Sequence, residues 1–420
     1  MKINSLFNIL GSSFFTLFCF FIFPVFLSIM PKEEYGLFSL FFVILIYSKF
    51  LEIGFGNTLV RYISNTSTSI TQLSSMRILI KTYEIYFLIL SILLVVFFSY
   101  FGISIIKNWL HFDNLELETV TYSILFMIII VCLKYYISIY RSSLNGFEKQ
   151  VITNLLRISS DFFSLIGGLL IYYLSKTLFS TYSPSIILYS FICMVNLFEL
   201  LLLKKFLTNE FIKNKVPQEN FSLKPLNQTI KFSLLSSLIS VIWISVTWLD
   251  RVIWSSILNL EHYGYFVTTT FFASAVIFFI TSINLAILPR LSKLHAINDN
   301  LEIFNIMRIS NNFTSFICFS LSFFILFYSY DILLVWTGNI KLTIWSNQIL
   351  ILYALAYGII SLTHIYSTLL NANGSIYLLA KILFTWSIFI SLSFIINAYY
   401  FTIETSALTF LILNLLYFIF

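Results

Sequence analysis

Apolar runs of around 20 residues recur from one end of this 420-residue chain to the other, and they restrict the fold more than any other feature. Each run is long enough to cross ~30 Å of hydrocarbon as a helix. Backbone N–H and C=O groups find no water there, so only helices or closed barrels are admissible. Barrel strands alternate apolar and polar over ~10 residues, which these runs do not. Charged residues are only 10% of the chain, against about 25% in soluble domains. The sequence therefore describes an all-α integral membrane protein.

Twelve spans are predicted. The first six lie near 6–30, 35–51, 83–101, 119–140, 151–174 and 185–203, and the second six near 232–258, 263–288, 311–335, 345–370, 376–398 and 401–420. The N-terminal run is too long for a signal peptide and lacks a small-x-small cleavage site, so it is read as the first span. Fifteen Lys and Arg fall on the side of the N-terminus and four on the other, with five inside spans. That asymmetry places both termini in the cytoplasm.

The chain also matches itself at an offset of 228. Glu33-Glu34-Tyr35-Gly36-Leu37-Phe38 returns as Glu261-His262-Tyr263-Gly264-Tyr265-Phe266, and Asn145-Gly146 returns as Asn373-Gly374. Ten of the 34 positions from Ser5 to Phe38 are identical to their counterparts. The Tyr-Gly pair is read as a turn between the first and second span of each half. An internal parallel repeat of two six-helix lobes follows: 1–204, a cytoplasmic linker over 205–231 with Pro217 and Pro225, and 232–420. Phe206, Phe211, Ile212 and Val216 suggest a short interfacial helix in that linker. Membrane proteins built from such repeats carry their substrate between them.

Soluble chemistry finds little footing. Cys19, Cys132, Cys193 and Cys318 sit in apolar spans without metal-ligand spacing, as small packing residues. No Walker loop is present, and Gly54-Phe55-Gly56 lacks the third glycine of a dinucleotide loop. The four Asn-x-Ser/Thr sites fall on the cytoplasmic side. The formal charge of +6 follows from topology and forms no nucleic-acid patch.

Ionisable residues within spans are expensive and mark internal pathways. The cations are Lys49, Lys134, Arg157, Arg251 and Lys381, set against the acids Glu52, Asp161 and Asp250. Lys49 and Glu52 are three apart, and Arg157 and Asp161 four apart, so each pair shares a helix face. Asp250 and Arg251 are neighbours about 100° apart on a helix, which sends each to a different partner. An excess of interior cations, most of them in the cytoplasmic half, favours an anionic ligand arriving from that side.

The Glu34-Tyr35-Gly36-Leu37-Phe38 segment, the Glu52-Ile53-Gly54-Phe55-Gly56 close of span two with Arg61-Tyr62, and Asp250-Arg251 resemble the polysaccharide flippases of O-antigen and capsule export. Leu288-Pro289-Arg290-Leu291-Ser292 and Asn371-Ala372-Asn373-Gly374 extend the likeness across the chain, with Glu52 standing where the family often has Asp. These flippases belong to the multidrug/oligosaccharidyl-lipid/polysaccharide exporter superfamily. The resemblance implies two six-helix lobes working by alternating access, without ATP. It implies an undecaprenyl-diphosphate-linked oligosaccharide as substrate, turned to the periplasmic leaflet of a bacterial inner membrane. Other polysaccharide-assembly membrane proteins would be its partners. On that basis Lys49, Lys134, Arg157, Arg251 and Lys381 are candidate substrate contacts, and Glu52, Asp161 and Asp250 position them or carry protons. No cofactor is expected beyond a coupling proton or sodium ion. A drug or cation antiporter of the same superfamily is the nearer rival. A glycan polymerase or ligase is the farther one, and would need a large outer loop that the sequence lacks.

Overall fold

The computed structural model describes residues 18–52, 54–66, 70–178, 183–213 and 224–419. Among them every regular element is helical: α1 (Phe18–Ile29), α2 (Lys32–Tyr47), α3 (Phe55–Thr66), α4 (Ile70–Trp109), α5 (Leu117–Gly146), α6 (Gln150–Phe162), α7 (Gly168–Leu178) and α8 (Pro184–Lys213). The chain continues as α9 (Lys224–Ser255), α10 (Leu260–Ala273), α11 (Ala275–Ala296), α12 (Asn300–Thr337), α13 (Ile340–Ala372), α14 (Ile376–Tyr400) and α15 (Ile403–Ile419). Seven of the described helices are long and apolar enough to cross a membrane. The protein is a multi-pass membrane protein.

Helix ends follow local chemistry. Asn259, Asp299 and Asn339 cap α10, α12 and α13 with side-chain oxygens that accept from backbone N–H groups three residues on. Gly338 stops α12 with φ +64°, the left-handed conformation that glycine adopts without strain. Two expected spans are interrupted. The second, expected over 35–51, is α2 closing in a 3-10 turn over Ser48–Phe50, with α3 starting beyond it, and the eighth breaks at Ser274 between α10 and α11. Carried back by 228, Ser274 falls on residue 46 (274 − 228), one residue from the end of α2. The fifth span is α6 and α7 joined by a π-helical turn, Phe163–Gly167.

The linker assigned to 205–231 lies partly outside the described residues, which omit 214–223. On either side the helices run on, with Phe206, Phe211 and Ile212 continuing α8 and Lys224 opening α9. Val216 and Pro217 lie outside the described residues, as do Lys2 and the first half of the first span.

The chain divides into two compact units, 1–22 with 40–241 and 23–39 with 242–420. In the first, Phe55 stacks on Tyr83 at 4.2 Å and Phe87 on Tyr135 at 4.9 Å, tying α3, α4 and α5 into one core. The outer surface of α4 carries Leu88, Ile92, Leu93 and Phe97 exposed, as a lipid-facing helix requires. In the second, α13 is central: 61% of its apolar stretch is buried, against 17% for α4.

The second unit also corrects the expected Tyr-Gly turns. Gly36 and Gly264 lie inside the first turns of α2 and α10, not in turns between spans. Each is glycine because two helices meet there. A methyl group on Gly36 would overlap the carbonyl of Leu260, and one on Gly264 would sit 3.1 Å from the Cα of Gly36. Around this crossing the Tyr35 hydroxyl meets that of Thr268, and Lys32 Nζ reaches Glu261 Oε1 at 2.6 Å. The two copies of the matched motif thus pack against each other.

Candidate functional site

Unit 1 gathers charge from three helices. α5 presents Lys134 and Arg141 two turns apart on one face, α6 presents Arg157 and Asp161, and α8 presents Glu199. Arg141 Nη2 donates to Glu199 Oε1, and Lys134 Nζ stands 3.9 Å from Glu199 Oε2. Arg157 Nε lies 3.7 Å from Asp161 Oδ2 across the expected i,i+4 spacing. Asp161 feels Lys134, Arg157, Arg141 and Glu199 together, so these are one cluster and not separate pairs. The π-helical turn begins two residues beyond Asp161, a device often found where a helix must re-aim functional side chains.

Lys49 joins the edge of the cluster, within electrostatic reach of Glu52 and Arg157. Among the described residues no ion pair joins Lys49 to Glu52. The helix they were expected to share ends before them: Lys49 is in the 3-10 turn, and Glu52 instead accepts from the Ser138 hydroxyl of α5. Gly56 leaves room for this, since a Cβ there would lie 3.0 Å from the Glu52 carboxylate and 2.9 Å from Ser142 Oγ.

Four cations, Lys49, Lys134, Arg141 and Arg157, therefore face three acids, Glu52, Asp161 and Glu199. The exposure is lopsided. Glu199 keeps 1% of its side chain open and Asp161 14%, whereas Lys134 keeps 29% and Arg157 33%. The acids are more deeply buried than the cations, so the more accessible side chains are the cationic ones although the charges nearly cancel.

Asp250 and Arg251 on α9 behave differently. Both are sealed inside unit 2, Arg251 with none of its side chain exposed. Neighbours in sequence were expected to part, yet Arg251 curls back to bond Asp250 Oδ1 at 3.2 Å and the Thr247 carbonyl at 2.8 Å. α13 closes the ring: Tyr353 donates to Asp250 Oδ2 at 2.7 Å, and Arg251 Nη2 donates to the Tyr357 hydroxyl at 3.2 Å. The guanidinium also lies over the Trp248 ring, 4.1 Å from its centre. Lys381 joins neither group. It is exposed near the start of α14, beside Tyr377 and Ile382.

Sequence reasoning missed Arg141 and Glu199. Arg141 lies one residue beyond the expected fourth span (119–140), on the cytoplasmic side, whereas α5 runs on to Gly146. The tally of interior acids also left out Glu199, Glu84 and Asp331, all of which lie within expected spans. Glu84 takes the Tyr140 hydroxyl at 2.6 Å. With these included, the interior is not cation-rich by count. The sign of the open surface comes from burial, which a count cannot supply. A lone acid in the middle of an apolar run was the available signal for Glu199.

A family model described as polysaccharide biosynthesis protein matches residues 2–295. The chain belongs to this family. The fold is shared with solved transporters: an inward-facing multidrug resistance MATE family transporter of the MOP superfamily matches with a TM-score of 0.78 at 11% identity, covering 100% of this chain and 93% of that one. The lipid II flippase MurJ, in an inward closed conformation, matches at 0.74 with 16% identity over 100% of this chain and 86% of that one. An outward-facing MATE transporter of the same superfamily matches at 0.61 with 12% identity over 99% and 92%. No curated protein sequence matches the chain.

Proposed function

We propose that this member of the polysaccharide biosynthesis family is a flippase for undecaprenyl-diphosphate-linked oligosaccharides, carrying them from the cytoplasmic to the periplasmic leaflet of a bacterial inner membrane. The observation that carries the reading is the unit 1 cluster, where the cations stay more open than the buried acids. Such a surface attracts a diphosphate and repels the organic cations that an acid-lined exporter would take. Lys134, Arg141, Arg157 and Lys49 contact the diphosphate. Lys134 is the readiest of these, since its 3.9 Å separation from Glu199 leaves a weak contact to give up. Glu199 and Asp161 hold the cations in position, and either is a candidate for a coupling proton.

Arg251, with Asp250, acts through the packing of α9 on α13, and Lys381 acts at the membrane surface. The lobes are 1–204 and 232–420, joined by 205–231, with both termini cytoplasmic and movement by alternating access. Lipid-linked glycan is the substrate and the other membrane proteins of glycan assembly are partners. A drug antiporter of the superfamily is the second reading, favoured by the MATE fold.

Complementation tests the choice. A strain lacking its own O-antigen or capsule flippase, carrying this gene with the matching glycan genes, is expected to display surface polysaccharide on a blot. The Lys134→Ala/Arg157→Ala variant is expected not to. Wild-type protein that restores drug efflux but no surface glycan would overturn the reading.

A further inference from the structure

Unit 2 holds a second polar site, and this one is neutral. Asn284 of α11 is 4% exposed, and its amide meets Nδ1 of His364 on α13. The imidazole in turn packs edge-on against Trp243 of α9, ring centres 4.9 Å apart at 60°. Trp243 and His364 are only half-buried, so the site keeps an open side.

The hydrogen bonding is incomplete. One imidazole nitrogen can satisfy only one end of an amide, and among the described residues Asn284 Oδ1 is buried without a partner. Turning the amide over exchanges which end is orphaned, since its two ends are told apart only by their partners. In both orientations, among the described residues, a buried amide atom is unpaired. Among the described residues none of the three takes part in an ion pair.

The chemistry selects a ligand class. A phosphate would require cations and an ammonium would require an acid or an aromatic cage, and among the described residues the partners found at this amide are an imidazole and, beyond it, one indole. A sugar fits: its hydroxyls donate and accept at Asn284 and His364, and the apolar C–H face of its ring lies against an indole. We propose that Trp243, Asn284 and His364 form a saccharide subsite. It reads the glycan part of the lipid-linked substrate, and the assignment rests on the flippase reading.

The test compares two lipids on the purified full-length protein in lipid nanodiscs. One is sugarless undecaprenyl diphosphate. The other is the lipid-linked glycan extracted from the source strain with this gene deleted. Asn284→Ala and His364→Ala are expected to weaken the glycan lipid about tenfold, equivalent to ~1.4 kcal/mol, while sugarless lipid binds within twofold of wild type. Trp243→Ala carries the same expectation and serves if an α11 or α13 variant fails to fold. Equal loss for both lipids, or no change for either, would overturn the subsite. So would a lowered melting temperature without selectivity, the result expected if a water alone satisfies Asn284. Wild-type protein that binds neither lipid would instead overturn the flippase reading, and the subsite with it.

Discussion

The two charge clusters use the same residue types to opposite ends. In unit 1, Lys134, Arg141 and Arg157 pair with Glu199 and Asp161 while their side chains stay partly open, and Lys134 is held at only 3.9 Å. In unit 2, Asp250 and Arg251 are closed in by Thr247, Trp248, Tyr353 and Tyr357. A charge that keeps solvent on one side can exchange a loose partner for a ligand. One already holding a carboxylate, a carbonyl and a phenol at 0% exposure has few donors left to offer. Among the described residues only Arg251 Nε lacks a partner there, and it is buried. Burial, more than the number of charges, separates a binding surface from a structural ring.

The largest expected effect breaks the sealed ring. Asp250→Asn removes the charge that compensates Arg251, and stranding one partner of a buried pair costs about 3–5 kcal/mol. A large drop in melting temperature in detergent is expected. Asp250→Leu/Arg251→Met, which removes both charges, is expected to melt closer to wild type. If the double variant is no better than the single one, Asp250 and Arg251 do not act as a pair.

Next in size is Glu199→Gln. Glu199 is buried and the two cations paired with it retain access to solvent, so its loss is expected to cost about 1–3 kcal/mol, in the range of hydrogen bonds to charged groups. That is less than Asp250→Asn, because Arg141 and Lys134 can turn to water. The freed cations are also expected to bind sugarless undecaprenyl diphosphate more tightly. A stability loss as large as that of Asp250→Asn would erase the distinction between the clusters.

Smaller still is the effect on stability of Lys134→Ala. A partly exposed cation at 3.9 Å from its partner contributes about 1 kcal/mol or less. Its melting temperature is expected to stay near that of wild type while lipid binding falls.

Smallest is the Lys32–Glu261 pair at the Tyr-Gly crossing, which serves as a surface reference. Burial pushes the Glu261 carboxyl up, but hydrogen bonds from Lys32 and Tyr265 and the nearby Lys32 charge outweigh it, so it titrates below the usual glutamate range. A carboxyl depressed by folding stabilises fully above its unfolded value, about 4.3, and loses that contribution as pH falls through the depressed folded value. A melt series from pH 6 downward should therefore narrow the gap between wild type and Lys32→Ala, and only in that acid range. A gap that persists below it would mean that Lys32 contributes packing and not charge.

Much of the fold was legible because the bilayer leaves a chain few options. Apolar runs near 20 residues had to be helices, and their order along the chain could be read directly. The breaks at Ser48 and Ser274 were not legible, because nothing in composition distinguishes a kinked apolar run from a straight one. Gly36 and Gly264 show a subtler limit. Glycine beside a loop reads as a turn, yet here it permits two helices to touch, which depends on a segment some 224 residues away (260 − 36).

At the site, Arg157 and Asp161 were found through their i,i+4 spacing, a local rule that survives folding. Arg141 and Glu199 were missed because their partnership joins α5 to α8, and no spacing announces it. Asp250 and Arg251 were rightly singled out as in-membrane charges. Their mutual bond escaped because a long guanidinium can fold back on its own helix, whereas the 100° rule fixes only the direction of the Cβ atoms.

The central claim is that the anionic head of the substrate is held by the open cluster of unit 1. Binding of sugarless undecaprenyl diphosphate to purified protein in nanodiscs tests it most directly, with Lys134→Ala/Arg157→Ala set beside Asp250→Leu/Arg251→Met. The account expects the first variant to lose at least tenfold in affinity with its melting temperature near wild type, and the second to bind within a few-fold of wild type. Wild-type affinity in the first, with binding abolished in a well-folded second, would contradict it.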